Sequence, residues 1–450
     1  MKFNILFITA SIRSHVMPSL FIADLFAEEY AIHYAVTNEI LQEIVVKNGY
    51  NAFLNSGFRP CIGIEGRFLS EVKKKEPTFW NVSTALWNNE VYEYRKTELD
   101  SIIEKLNPKI VIVDIFCSTD FFILNSHINH LKVFFYNPMP STYKVANYPL
   151  VSETVWSEKK AIINSTKKSK LKLFLKNPKS YFFEHLKQQN INNLFKISGI
   201  TNKNKKIDNE FIFAFDNIPE LVLTPLEFEF SFEIKKDFQH YLGLAQRIEN
   251  RQDTELDPHF IDVWDRILKE KENGKKIIYC SFGTYFEGAD PRLLDFVNVI
   301  LESVSNIPNA VLICSVNKFI VEVINSQHIT LENAYFFSRV PQLKVLAISD
   351  LFITHGGMGG IKESIYYKVP MLVFPLDLHY DQSGNALKVE VHGLGLRGTF
   401  GFERTKDMQA KITSLLEDKT FKEKLIAFKN QTDNHYTENY FKNLFKQLLQ

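Results

Sequence analysis

Residues 351–363 read Leu-Phe-Ile-Thr-His-Gly-Gly-Met-Gly-Gly-Ile-Lys-Glu, and this stretch decides the fold of the second half of the chain. Its first four residues form a short apolar run, which predicts a buried strand. The glycines that follow permit a tight turn with outward-facing backbone N–H groups, and the pattern after them predicts a helix. A strand that passes through a glycine-rich turn into a helix N-terminus makes a site that attracts phosphate.

Short apolar runs of this kind alternate with helical patterns in both halves of the chain. They occur at Phe3–Ile8, Ile110–Val113, Val133–Phe135, Lys276–Cys280, Ala310–Cys314, Leu351–Thr354 and Met371–Phe374. Short apolar strands separated by helices are typical of parallel sheets. The sequence therefore predicts an α/β protein with a parallel sheet in each half.

The domain boundaries follow from changes in composition. Residues 245–258 are polar and poor in apolar side chains, so we expect a linker across which few contacts form. This places one domain at 1–244 and a second at 259–433. Residues 434–450 carry aromatic and leucine side chains at helical spacing, which predicts a terminal helix.

A lysine-rich insertion interrupts the first domain at about 158–206, where the stretch Lys159–Lys206 contains 13 lysines. We interpret it as a solvated helical insertion. A basic amphipathic segment can also lie on an anionic membrane or cover a lipophilic acceptor site, so weak peripheral membrane contact stays open as an alternative.

The composition excludes several classes of protein. The chain has 450 residues with 53 Lys and Arg against 52 Asp and Glu, a formal charge of +1 that argues against nucleic acid as a main partner. Its four cysteines have no CxxC spacing, which argues against zinc or a disulfide scaffold and favours a cytoplasmic location. No apolar run reaches the roughly 18 residues of a membrane span. His127 and His130 lack further ligands and no Asp-x-Asp occurs, so we expect no metal site.

Further residues flank the glycine turn in a fixed order. Pro341-Gln342 precedes it, and Glu363, Val369-Pro370, Asp381-Gln382 and Asn385-Ala386 follow it. Together with His-Gly-Gly-Met-Gly they resemble the nucleotide-sugar-binding signature of the UDP-glycosyltransferase superfamily, family one of the glycosyltransferases. The Gly after the His is similar to the bacterial and macrolide-glycosyltransferase branch.

The resemblance implies the GT-B fold, in which two Rossmann-like domains face each other across a cleft. The acceptor-binding domain would come first and the nucleotide-sugar domain second. The terminal helix would cross back to the first domain. A dinucleotide-binding role for Gly393–Gly398, which spells GxGxxG, is not expected because this stretch follows a helical pattern and not a strand.

The same resemblance assigns donor contacts to individual residues. Val340 and Gln342 would meet the nucleoside, and Glu363 would meet the ribose. The diphosphate would meet His355 and, in the stretch Ser281-Phe282-Gly283-Thr284, the hydroxyl of Thr284. The full set implied for the donor is Thr284, Arg339, Val340, Gln342, His355, Gly357, Gly359, Gly360, Glu363, Asp381 and Gln382, of which the last two would hold the sugar hydroxyls.

Three departures from the family pattern affect the donor. Arg339 stands where many members have a base-stacking Trp, so the choice between uridine and thymidine diphosphate stays open. Gly360 replaces the usual Ser and loses a hydroxyl contact. Five residues, Leu376–Tyr380, separate Pro375 from Asp381 where the family usually has three, which leaves the identity of the sugar open.

A candidate general base follows the first strand. Ser14-His15-Val16-Met17-Pro18 resembles the family's Gly-His-x-x-Pro element, and an imidazole titrates near the pH at which an acceptor hydroxyl must lose its proton. Asp114 ends the strand that starts at Ile110 and resembles the family's carboxylate that orients this histidine. Asp114 is preferred to Asp120, and a helix N-cap is the alternative role for Asp114.

These residues predict a metal-independent, inverting glycosyltransferase without a cofactor. It would move a sugar, glucose by expectation, from a UDP-sugar to a hydroxyl of a small aromatic or lipophilic acceptor, giving a β-glycoside. The alternatives are a non-catalytic nucleotide-sugar-binding helper, a nucleotide-sugar epimerase and a membrane-docked glycolipid glycosyltransferase. The oligomeric state is not predicted.

Overall fold

The computed structural model describes residues 2–156, 178–200, 206–207, 209, 212–245, 247–248, 251–282, 290–326 and 333–450. In this part of the chain the first domain contains a seven-stranded parallel sheet in the order β3-β2-β1-β4-β5-β8-β9. Its strands are β1 (Phe3–Ile8), β2 (Tyr30–Val36), β3 (Asn51–Leu54), β4 (Pro108–Asp114), β5 (Lys132–Asn137), β8 (Glu220–Val222) and β9 (Gln239–Tyr241), and the short antiparallel pair is β6 (Lys206–Ile207) and β7 (Ala214–Phe215).

Helices cover both faces of this sheet, because its central strands are apolar on both sides. Ile5 and Phe7 belong to the core on one face, whereas Leu6 and Ile8 belong to the core on the other. The helices are α1 (Arg13–Phe26), α2 (Glu39–Lys47), α3 (Glu65–Glu71), α4 (Phe79–Trp87), α5 (Glu90–Leu106), α6 (Phe121–Leu124) and α7 (Pro178–Ile197).

The second domain contains a six-stranded parallel sheet in its described residues, in the order β12-β11-β10-β13-β14-β15. Its strands are β10 (Lys276–Ser281), β11 (Ala310–Ser315), β12 (Ala334–Phe337), β13 (Leu351–Thr354), β14 (Met371–Val373) and β15 (Gly395–Arg397). Its helices are α8 (Pro258–Glu272), α9 (Pro291–Ser305), α10 (Lys318–Ser326), α11 (Gln342–Leu346), α12 (Met358–Tyr367), α13 (Gln382–Val391), α14 (Thr405–Glu417) and α15 (Lys419–His435).

The last helix, α16 (Glu438–Leu449), packs on the first domain. The ring of Phe445 lies 4.6 Å from that of Phe26, and the ring of Phe441 lies 5.7 Å from that of Phe21. Thr437 caps the helix by accepting a hydrogen bond from the backbone N–H of Tyr440. The chain thus returns from the second domain to the first.

The segment between the domains forms hydrogen bonds with both of them. Arg247 Nη1 donates a hydrogen bond of 2.8 Å to the Asn48 carbonyl in the first domain. Asp257 accepts one of 2.8 Å from the backbone N–H of Ser338 in the second. A polar segment enclosed by two domains satisfies its side chains on the surfaces that face it.

Part of the lysine-rich insertion lies outside the described residues, namely 157–177 and 201–205. The part that the structure describes contains α7, which packs against α4. Among the helices of the described residues, none combines the length and the apolar character required to cross a membrane.

Candidate active site

A cleft separates the two domains and contains a cavity of about 640 Å³. Its lining residues follow strands β1, β4 and β5 of the first sheet and strands β12, β13 and β14 of the second, with further side chains from the ends of β10 and β11. In parallel sheets the carboxyl ends of the strands are where ligands bind. The cavity therefore lies where both sheets present their binding edges.

The structure brings most of the predicted residues to this one cavity. Asp114 lies behind His15, and Thr284 falls within residues 283–289, outside the described part of the chain. The predicted residues that line the cavity are His15, Arg339, Val340, Gln342, His355, Gly357, Gly359, Gly360, Glu363, Asp381 and Gln382.

His15 and Asp114 form a buried hydrogen-bonded pair. His15 lies in the first turn of α1, and its Nδ1 is 3.0 Å from Asp114 Oδ2. Asp114 is the last residue of β4, next to β1 in the sheet, so the two strands place both side chains at the same edge. The ring of Phe116 lies 4.6 Å from the imidazole and covers it.

Asp114 also accepts hydrogen bonds from the backbone N–H of Phe116 (2.9 Å) and of Ala10 (3.2 Å), and from the Tyr136 hydroxyl (2.9 Å). The Phe116 bond makes Asp114 the N-cap of the 3₁₀ turn Ile115–Asp120, so the cap and the histidine contact occur together. Burial acts to raise the pKa of Asp114, but the charge and hydrogen bond of His15 and the other donors outweigh it and lower that pKa. The carboxylate is thereby kept ionised beside the imidazole.

Asp120 has a different set of partners. Its carboxylate, fully buried, accepts from Arg95 Nε at 3.0 Å and from Arg59 Nε at 3.2 Å. Arg59 also donates to the carbonyl of Thr9, at the end of β1. Asp120 therefore stabilises the loop that precedes α1 and does not contact His15.

On the opposite side of the cleft, His355 lies between β13 and α12. Burial lowers the pKa of His355 to about 4, although a hydrogen bond with the backbone of Ser281 partly opposes that shift. The imidazole is therefore neutral at neutral pH and carries a single N–H.

The glycines around His355 are required by geometry. Gly356 has φ +88°, and a Cβ there would lie 2.8 Å from Val373 Cγ1. A Cβ on Gly357 would lie 2.5 Å from His355 Nε2, so this glycine allows the imidazole to lie across the start of α12. At Gly359 a Cβ would have no neighbour within 4 Å, because this part of the helix faces the open cleft.

Glu363, on α12, belongs to a hydrogen-bonded network at the floor of the cleft. Its Oε1 accepts from Arg251 Nη1 at 2.5 Å, and its Oε2 accepts from the side-chain amide of Gln342. The Gln342 carbonyl in turn accepts from the Tyr279 hydroxyl at 3.1 Å. Arg251 comes from the linker and also donates to Asp253 at 2.8 Å.

Asp381 and Gln382 each accept hydrogen bonds from nearby residues of the second domain. Asp381 accepts from the Asn385 amide at 2.8 Å, and burial raises the pKa of Asp381. Gln382 accepts from the backbone N–H of Leu376 (2.8 Å) and of Asp377 (3.0 Å), so its side chain organises the five-residue loop before it. That loop places the Tyr380 ring 6.3 Å from Phe116, beside His15.

Several cavity residues were not predicted from the sequence. Arg13 at the start of α1 donates to Glu255 (2.8 Å) and to Thr254 (2.9 Å) of the linker. Arg339 lies 3.6 Å from the same Glu255, so both guanidinium groups face one carboxylate. The charged residues of the linker were the only sequence feature that pointed to these contacts. The composition of the linker indicated a solvated segment instead.

Lys362 is a further unpredicted cavity residue. It is 1% exposed and its Nζ donates 2.7 Å to the Leu223 carbonyl of the first domain. Burial lowers the pKa of Lys362 to about 7, with Glu363 acting in the opposite direction. In the described residues, no group of three or more His, Cys, Asp or Glu side chains is arranged to hold a metal ion.

Parts of the chain are similar in sequence to known proteins. Residues 229–434 match the family described as UDP-glucoronosyl and UDP-glucosyl transferase. A curated relative from Bacillus subtilis, an uncharacterized UDP-glucosyltransferase, is 35% identical over 108 residues, or 24% of this chain and 26% of the relative. The human UDP-glucuronosyltransferase 2A3 is 26% identical over 206 residues, 45% of this chain and 35% of the relative. The chain thus spans about a third or less of these relatives' lengths.

Solved structures match the whole chain at low identity. The glycosyltransferase of kitacinnamycin gives a TM-score of 0.66 at 17% identity, with 99% of each chain covered. A spinosyn rhamnosyltransferase in complex with thymidine diphosphate gives a TM-score of 0.59 at 13% identity, with 96% of each chain covered. Together the comparisons confirm the GT-B fold and the resemblance to the UDP-glycosyltransferase superfamily.

Proposed function

We propose that this chain, whose residues 229–434 match the UDP-glucoronosyl and UDP-glucosyl transferase family, transfers a sugar from a UDP-sugar to a hydroxyl of an aromatic or lipophilic acceptor. One observation carries the proposal. His15, which is paired with Asp114 on the first domain, and the segment from His355 to Glu363 on the second domain face the same cavity. A base and a nucleotide-binding turn across one cleft are what sugar transfer to a hydroxyl requires.

The proposed reaction is a direct displacement. His15 Nδ1 is committed to Asp114, so Nε2 takes the acceptor proton while the acceptor oxygen forms a bond to the anomeric carbon. The bond between that carbon and the diphosphate breaks on the opposite face, and UDP leaves. Inversion converts an α-linked donor into a β-glycoside.

Charge on the leaving diphosphate would be met by the start of α12. Backbone N–H groups at a helix N-terminus supply donors that are already oriented, and His355 lies beside them on the wall of the cavity. These groups support our proposal that transfer proceeds without a metal ion or another cofactor.

The part of the cavity beside His15 contains several apolar side chains. Its walls include Ile12, Phe116, Met139 and Tyr380, and the two aromatic rings lie beside the proposed base. Side chains of this type favour an aromatic or lipophilic alcohol or phenol over a highly polar acceptor. The name of the Bacillus relative supports UDP-glucose as the first donor to test. We also propose a cytoplasmic location, in line with four cysteines that have no CxxC spacing.

The test is release of UDP from UDP-glucose in the presence of EDTA, with a panel of phenols and lipophilic alcohols. We expect acceptor-dependent turnover by the wild type and at least a 100-fold loss in His15→Ala, the order of a general base contribution. His127→Ala is a matched control, because His127 also pairs with an aspartate, Asp100, at 2.8 Å but lies outside the cavity.

Each other outcome has a definite meaning. Equal turnover by His15→Ala would remove His15 as the base. Nucleotide binding without turnover, with UDP-glucuronate and dTDP-glucose also tried, would favour the non-catalytic helper. Conversion of the donor sugar without an acceptor would favour an epimerase.

A membrane-docked glycolipid transferase is a second candidate, favoured by one observation on α4. Trp80 and Trp87 lie two turns apart and are 73% and 69% exposed. Exposed tryptophans of this kind suit the boundary between lipid and water. Co-sedimentation with anionic vesicles that is lost in Trp80→Ser and Trp87→Ser would support membrane contact. If the wild type does not sediment with the vesicles, this second candidate function is excluded.

A further inference from the structure

The two oxygens of Glu363 are each engaged on one side by a fixed donor. Arg251 holds Oε1 and Gln342 holds Oε2, and Glu363 itself is 7% exposed. A carboxylate offers about four acceptor positions, two on each oxygen. Each oxygen therefore retains one position, and both lie on a group that lines the cavity.

Two free positions on one rigid carboxylate match two neighbouring hydroxyls. The family resemblance already implies that Glu363 contacts the ribose of the donor. A nucleotide without the 2′-hydroxyl would leave one buried carboxylate oxygen short of a donor. Sites that present a buried polar group discriminate strongly against a ligand that lacks the matching group.

The rigidity of this carboxylate depends on the linker residue Arg251. Its guanidinium bridges Glu363 and Asp253, and its side chain is 17% exposed. Gln342 is neutral, so Arg251 supplies the positive charge of this hydrogen-bonded group, and hydrogen bonds between charged groups are the stronger ones. A planar guanidinium also fixes orientation better than a flexible ammonium does.

We propose that Arg251 is a positioning residue that makes the donor site selective for ribonucleoside over 2′-deoxyribonucleoside diphosphates. The inference rests on the proposed function, because it requires the donor nucleotide to bind in this cleft. It adds a specificity role for a linker side chain, and it favours UDP over thymidine diphosphate, whose sugar is a 2′-deoxyribose.

The position of the linker explains why Arg251 can hold this orientation. The adjacent Gln252 donates its backbone N–H to Asn48 Oδ1 at 3.1 Å, and Arg247 donates to the same residue. The linker is thus attached to the first domain by residues that precede and follow Arg251. Further along the chain, Asp257 attaches it to the second domain through Ser338.

The experiment measures binding of UDP and of 2′-deoxy-UDP to the full chain by isothermal titration calorimetry. The two ligands differ only in the hydroxyl in question. For the wild type we expect UDP to bind at least about tenfold more tightly, the order of one hydrogen bond to a charged group. In Arg251→Met this ratio falls to about threefold or less, mainly through weaker UDP binding, and in Arg251→Lys it is intermediate.

Arg404→Met is the matched control, since Arg404 pairs with Asp407 at 2.8 Å on the surface and does not line the cavity. It should retain the wild-type ratio. If Arg251→Met does not fold, as judged by circular dichroism, the double variant Arg251→Met/Asp253→Asn takes the place of the single variant in the assay. The second substitution removes one of the two carboxylates that lose the guanidinium.

Three results would contradict the inference. Equal binding of the two nucleotides by the wild type would remove the selectivity. Equal weakening of both nucleotides in Arg251→Met would show that Arg251 acts on the fold or on the diphosphate and not on ribose selection. Failure of the folded wild type to bind either nucleotide would overturn the proposed function itself, and the inference with it.

Discussion

Asp114 and Tyr136 are register partners on the adjacent strands β4 and β5, and the Tyr136 hydroxyl donates a hydrogen bond of 2.9 Å to Asp114 Oδ2. Both side chains are fully buried. The same carboxylate oxygen lies 3.0 Å from His15 Nδ1, so the tyrosine stabilises the group that orients the proposed base. This contact extends the His15–Asp114 pair into the core of the first sheet.

Tyr136→Phe removes that hydroxyl without changing the shape of the ring. We expect turnover to fall about tenfold with little change in the KM of the donor, since a hydrogen bond to a charged group is worth about 1.5–3 kcal/mol and three other donors remain. Steady-state kinetics measure both constants. Tyr34→Phe is the control, because this buried tyrosine bonds to Ser19 and not to Asp114. An equal loss in both variants would indicate a general packing effect.

The protein should lose stability as the pH falls from about 6.5 to about 4. Burial lowers the pKa of His355 and of His240 to about 4 in the folded chain, whereas an unfolded histidine titrates near 6.5. Between these values the unfolded state binds more protons, so the free energy of unfolding falls with pH, by at most about 1.4 kcal/mol per pH unit for each histidine.

Urea unfolding at pH 7, 6 and 5 tests this expectation. In His355→Gln the decline between pH 7 and 5 should be smaller than in the wild type, because one of the histidines whose pKa is lowered by burial is gone. His259→Gln, which changes an exposed histidine, should leave the decline as it is. A decline that is the same in all three proteins would contradict the assignment to His355.

Two glycines of the same turn should respond differently to alanine. Gly356→Ala puts a Cβ 2.8 Å from Val373 at a φ of +88°, so we expect a loss of about 1–3 kcal/mol in the free energy of unfolding. Gly359→Ala meets no atom within 4 Å and improves helix propensity, so stability should hold or rise by up to about 1 kcal/mol.

Gly359→Ala should also change nucleotide binding. The added methyl group of Gly359→Ala lies on the wall of the cavity, so UDP should bind more weakly although the chain is no less stable. Thermal unfolding and calorimetry on the same samples provide both measurements. Unchanged UDP affinity in Gly359→Ala would mean that the nucleotide does not approach this part of the turn.

The domains are joined by a buried ion pair, and breaking it should be costly. Lys388 on α13 is 2% exposed, and its Nζ lies 3.5 Å from Glu229 Oε2. Lys388→Met leaves that carboxylate without its cation, for which we expect a loss of about 3–5 kcal/mol in the free energy of unfolding. The double variant Lys388→Met/Glu229→Gln should recover a large part of this loss in chemical unfolding. No recovery would show that packing of the lysine stem, and not its charge, holds the domains together.

Local patterns in the sequence were sufficient to predict strands such as β1 and β13 and the functional loops that follow them. The apolar run Phe3–Ile8 is β1, the run Leu351–Thr354 is β13, and the residues predicted after both strands line one cavity. Strand periodicity, helix starts and glycine turns depend on residues a few positions apart. That is the range over which a sequence pattern reports on structure directly.

Contacts between distant residues were decided only by the tertiary structure. The hydroxyl of Tyr136 reaches Asp114 because β4 and β5 pair in one particular register. Arg251 reaches Glu363, 112 positions away, because the linker is enclosed between two domains. The sequence by itself determined two parallel sheets and the residues at their binding edges. Which charged groups meet across the cleft depends on how the sheets are placed against each other, and no short-range periodicity encodes that placement.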